Sequence, residues 1–142
     1  EDLIMPSESP LPMTHAFLVC REIIQDVITN QCVLIDPRVE FTLPEFPASV
    51  LVSIYGQLSE VRREYTPELR IWGSDGEILW DYRAPAPMTS PDDDPLRQFR
   101  FVIRDLEIPF PRPGRYDLIL LAQGTEIARY PLRIEHIEAG AE

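Results

Sequence analysis

The chain has no lysine; all 13 of its basic residues are arginine. Schiff-base catalysis and phosphate-loop chemistry, which both need a lysine amine, are therefore excluded. Cysteine and histidine are scarce, with two of each: Cys20, Cys32, His15 and His136. No Cys-x-x-Cys or His-x-x-x-His spacing occurs, so the ligand pattern of a zinc site is missing. His15 and Cys20 lie an odd number of positions apart along one expected strand and face opposite sides, which argues against a nucleophilic Cys–His pair. There is no Gly-x-Ser-x-Gly elbow and no glycine-rich phosphate loop. These absences point away from an enzyme, and no cofactor is expected. No apolar run is long enough to cross a membrane as a helix. The first twenty residues carry acids and prolines where a secretory signal has a basic start and an apolar centre, so a cytoplasmic protein is expected.

Acid and proline are what the chain has in quantity. Its 24 acidic residues against 13 basic ones give a net charge of −11. That charge repels phosphate backbones and anionic surfaces, so no nucleic-acid partner is expected. The 15 prolines in 142 residues fall between apolar runs. Those runs alternate with period 2, and none sustains helical spacing over three turns. One all-β domain is predicted over residues 14–137, an antiparallel β-sandwich of about seven to nine strands. A proline-rich tail (1–13) and a short C-terminal tail (138–142) flank it.

Local patterns fix several registers. "HAFLVCREIIQD" and "QCVLID" form a hairpin around "VITN", with Asn30 suited to a left-handed conformation. Pairing Asp26 near Gln31 places Cys32 opposite Gln25 and Cys20 beyond Ile35, so the cysteines are expected as free thiols. "VEFTL" after Pro37 reads as a resumption of the second strand. "SVLVSIYGQL" and "DLILLA" are apolar on both faces, as central strands are. In "PELRIWGSDGEILWDYR" a two-residue Asp75-Gly76 turn pairs Glu68 with Arg83, Arg70 with Asp81, and Trp72 with Leu79. "RQFRFVIRDLEI" changes its apolar face at a bulge near Arg104. Tyr116 stands at a strand entrance where its hydroxyl can bond the preceding loop, and Pro131 predicts an edge position for the last strand.

"HAFLVCREIIQDVITNQCVLID", the Asp-Gly hairpin and "PFPRPGRYDLILLAQGTEIARYPLRI" together resemble a family of small bacterial single-domain β-sandwiches without an assigned function. The resemblance spans roughly Thr14 to Glu135. It implies an immunoglobulin-like or C2-like fold and carries no catalytic residues with it.

Two candidate sites follow. Trp72 and Leu79, outward in the hairpin register, form an apolar patch suited to a protein partner unless arginine stems cover it. Asp92, Asp93 and Asp94 cluster in the long loop from Ala84 to Leu96, and clustered loop carboxylates suit calcium. The expected function is a non-catalytic interaction module that binds a protein partner or self-associates through an edge strand and the Trp72 face. The alternative is a calcium- or ligand-binding sandwich using Asp92 to Asp94.

Overall fold

The computed structural model describes residues 11–89, 94 and 96–137, which form nine strands in two sheets and no helix. The four-stranded sheet runs in the order β2 (Cys32–Pro37), β1 (Met13–Gln25), β4 (Ala48–Ser59), β7 (Phe99–Phe110). The five-stranded sheet runs β3 (Glu40–Leu43), β9 (Thr125–His136), β8 (Gly114–Ala122), β5 (Pro67–Gly73), β6 (Ile78–Arg83). The two sheets bury one shared core. Phe17, Val19, Val52, Ile54, Leu106 and Ile108 come from the first sheet; Leu69, Ile71, Leu118, Leu120, Leu132 and Ile134 come from the second. Each set occupies alternate positions of its strands, as a pleated backbone requires.

The two strands read as apolar on both faces are internal: β4 lies between β1 and β7, and β8 between β9 and β5. The bulge near Arg104 is present. Val52 pairs with Leu106 and Ile54 with Ile103, leaving Arg104 and Asp105 opposite Ser53 alone. Asp105 takes a positive φ of 57° there, which turns Leu106 and Ile108 back to the core. Gln123 and Gly124 both adopt positive φ and close a two-residue hairpin between β8 and β9. At Gly56 a Cβ would overlap the Phe101 ring, which lies across the glycine from the paired strand, so this central position needs glycine.

Three expectations are corrected. "VEFTL" does not resume β2; past Asp36, whose φ is 58°, the chain pairs with β1 only through Pro37 and Arg38 before leaving the first sheet, and β3 pairs in parallel with β9 in the other sheet. Consequently β9 is not an edge strand along its whole length. β3 covers Arg133 to His136 only, and Pro131 sits just beyond it. The Arg133 N–H donates to the Val39 carbonyl, away from β8. The Pro131 nitrogen, two residues earlier, faces the same way, so proline costs the β8 ladder no bond.

The third correction is the β5–β6 turn. The Gly73 N–H donates to the Glu77 carbonyl and the Gly76 N–H to the Gly73 carbonyl, making a three-residue loop with Gly76 at φ 86°. Leu79 is bulged, which restores the register: Trp72 pairs with Ile78, yet Ile71 still pairs with Trp80. Both expected charge pairs survive, Arg70–Asp81 at 2.9 Å and Arg83–Glu68 at 2.8 Å.

Tyr116 donates its hydroxyl proton to the Arg112 carbonyl at 2.5 Å, and Tyr130 to the Arg38 carbonyl at 2.5 Å. Burial pushes both phenols above their ordinary value of 10.0. A group raised on folding contributes stability that is present below its unfolded value and lost as pH rises through the folded one. Urea midpoints are therefore expected to fall as pH climbs above 10.0, less steeply in Tyr116→Phe than in the wild-type chain.

Candidate interaction site

The outward face of the four-stranded sheet is also apolar. Leu18, Tyr55 and Val102 form one row across β1, β4 and β7, on the side opposite Phe17, Ile54 and Leu58. The β1–β2 hairpin covers that row. Beyond Cys20, where β1 last pairs with β4, the strand pairs only with β2. From there the hairpin turns back over the sheet and reaches β7. Arg104 Nε donates to the Ile23 carbonyl at 3.3 Å, and Arg100 Nη2 donates to the Asn30 carbonyl. Cys20, Ile23 and Tyr55 form a second small core beneath it, with Leu18, Cys32, Leu34 and Val102 packed against them. Both cysteines are free, and Gln25 pairs with Cys32 as the sequence predicts.

The hairpin turn is tightly specified. Asp26 Oδ1 accepts the Ile28 and Thr29 N–H groups at 2.9 and 3.4 Å, an Asx-type turn. The Asp26 N–H donates to the Gln31 carbonyl at 2.8 Å, and the Asn30 N–H to the Asp26 carbonyl at 2.7 Å. Asn30 takes a left-handed φ of 61°, as expected. Those backbone donors hold the Asp26 carboxyl below its ordinary range. At the tip of this fixed turn stand Val27, 93% exposed, and Ile28, 89% exposed. Ile24 and Val33, a cross-strand pair on the hairpin's outer side, are 49% and 55% exposed. "VITN" is a turn, as expected, but the role of its two aliphatic side chains is not among the sequence expectations. The signal was present, since a tight turn is usually built from polar residues.

Trp72 and Leu79 do not form the expected outward pair. In the bulge Leu79 turns inward and packs on the main core together with Trp80. Trp72 does face outward, opposite Ile78, but Arg129 lies over its ring with the guanidinium carbon 5.4 Å from the centroid. Glu126 grips Arg129 through two bonds of 2.9 Å, and Asp117 accepts a third at 3.1 Å. Ile119, fully buried on this face, is flanked in register by Arg70 and Arg129. Arginine stems thus cover the patch. The Trp72 indole N–H is buried and has no partner among the described residues.

Asp92 and Asp93 lie outside the described residues, as does the tail up to residue 10. Asp94 is described, and its carboxylate accepts the Leu96 N–H at 3.0 Å. Among the described residues no three His, Cys, Asp or Glu side chains gather in a metal-holding group. His15 Nε2 and Ser59 Oγ stand 2.7 Å apart in an exposed contact. Burial, and secondarily the charge of Asp36, pushes the Cys20 thiol above its ordinary value, which keeps it protonated. Among the described residues no helix is long and apolar enough to cross a membrane.

A profile described as a family of unknown function (DUF6941) matches residues 15–135. The chain belongs to that family. The match begins at His15 in β1 and ends at Glu135 in β9, so it takes in the hairpin and both sheets. A comparison with curated proteins returned no match. Among solved structures, the Pseudomonas fluorescens alkylpurine DNA glycosylase AlkC, bound to DNA containing an abasic site analog, aligns at a TM-score of 0.48 and 14% identity. The alignment covers 87% of this chain and 30% of that one.

Arg129→Ala is expected to remove the cation–π contact, a loss of about 0.5–1 kcal/mol at an exposed site. Trp72 emission should move to longer wavelength, with Trp72→Phe identifying its share of the signal; an unchanged spectrum would show that Arg129 does not cover the ring.

Proposed function

We propose that the chain is a non-catalytic interaction module, an immunoglobulin-like or C2-like sandwich that docks a protein partner through the β1–β2 hairpin. The observation that carries this reading is the exposure of Val27 and Ile28 on a turn fixed by its own hydrogen bonds. Two bare aliphatic side chains gain nothing for the chain in water. Burying each against a partner is worth about 1.5–3 kcal/mol. Because the turn is already ordered, docking would forfeit little further conformational entropy.

Among the described residues β2 is the outermost strand of its sheet, so its outer backbone groups suit strand addition by a partner. Ile24 and Val33 would supply apolar cover beside the added strand. The Trp72–Ile78 strip on the other sheet is a smaller second contact, reached when Arg129 swings aside.

A photo-crosslinking residue at position 28 tests the proposal in extract of the native host. A discrete adduct that disappears in Val27→Asp is expected, whether it joins a second copy or another protein. Adducts no more frequent than those from the exposed position Glu107 would overturn it.

A further inference from the structure

A separate site, formed without the hairpin, lies on the outward face of the five-stranded sheet. Arg115 on β8 and Arg133 on β9 stand directly opposite one another. Because the Arg133 N–H points to β3, this is a non-hydrogen-bonded pair, the kind whose Cα atoms come closest, about 4.5 Å apart. Like charges directly opposite on neighbouring strands repel. In a chain with 24 acids and 13 arginines, chance favours giving every arginine a carboxylate.

The surrounding acids relieve the pair only in part, and only at Arg133. Glu40 and Glu135 both form ion pairs with Arg133 Nη1 at 3.6 Å, longer than the roughly 2.7–2.9 Å of a charge-assisted hydrogen bond. Asp117, the next outward residue on β8, is committed to Arg129 at 3.1 Å. Arg115 has no ion-pair partner among the described residues and is exposed. The two arginines line an open cleft of about 640 Å³ together with Val39, Pro131 and Ser74. That volume falls within the range of small-ligand sites.

We infer that the Arg115–Arg133 cleft binds a carboxylate attached to a short apolar group. A carboxylate matches the planar fork of a guanidinium in two parallel hydrogen bonds and neutralises the repulsion between the two cations. Glu40 and Asp117 nearby, and the net charge of −11, disfavour anions of higher charge such as phosphate esters. The aliphatic part lies against Val39 and Pro131. Two sources share this chemistry: a free aliphatic acid and the C-terminal carboxylate of a peptide.

Amide-resolved NMR titration of the whole chain decides, with butyrate, a short peptide ending in valine, and the same peptide as its C-terminal amide as probes. Saturable shifts at Val39, Arg115 and Arg133 are expected with the acids and not with the amide. Tighter binding of the peptide acid than of butyrate identifies a chain terminus as the source; equal binding identifies a free acid. Arg115→Gln should weaken the acids at least about tenfold. The same variant, free of ligand, should melt at a higher temperature than the wild-type chain, because the cross-strand repulsion is gone. Absence of saturable shifts with either acid, equal binding of the amide, or undiminished binding in Arg115→Gln would overturn the inference.

Discussion

One sheet of this protein is apolar on both faces, and the opposing sheet covers only one of them. Leu18, Tyr55 and Val102 have to be removed from water by something else, and the chain uses its own first hairpin. The rest of the architecture follows from that need. β1 outlasts its pairing with β4 so that its second half can turn back, and Arg104 and Arg100 on β7 tie the hairpin down at Ile23 and Asn30. An element folded over a sheet has an inner side and an outer side. Its inner side supplies Ile23, Cys32 and Leu34; its outer side and tip leave Ile24, Val33, Val27 and Ile28 in solvent. The packing requirement that fixes the hairpin as cover also fixes its outer side and tip for display.

Much of this was legible in the sequence because period-2 patterning and turn chemistry are local signals. The register of Gln25 with Cys32, the left-handed Asn30, the bulge at Arg104, the Tyr116 corner and the internal positions of β4 and β8 all rest on residues within a few positions of one another. The failures share a cause as well. A three-residue loop and a one-residue bulge cancel in register, so the charge pairs Glu68–Arg83 and Arg70–Asp81 fit either arrangement and could not tell them apart. That is why Leu79 turned out to face the core. The departure of β3 to the other sheet was illegible for another reason: "VEFTL" suits any strand, and only the parallel partner on β9 decides where it lies.

The candidate sites divide along the same line. Trp72 was readable as outward, but its cover by Arg129 depends on two strands far apart in sequence. The Arg115–Arg133 juxtaposition needs the β8–β9 register and the direction of one N–H, neither of which composition reveals. The outward face of the five-stranded sheet uses arginine in two different ways. Arginine stems roof an apolar stripe; at the far end of that sheet two arginines are left against each other.

The central claim is that the hairpin is a fixed arm folded over the sheet. Amide hydrogen exchange of Asp26, Ile28 and Asn30 tests it most directly, since all three donors are committed within the turn although it lies at the surface. Protection at these amides comparable to that of the first half of β1 is the expected result. Exchange at the rate of an unstructured peptide would show that the hairpin is loose, and the account of a pre-ordered docking arm would fail.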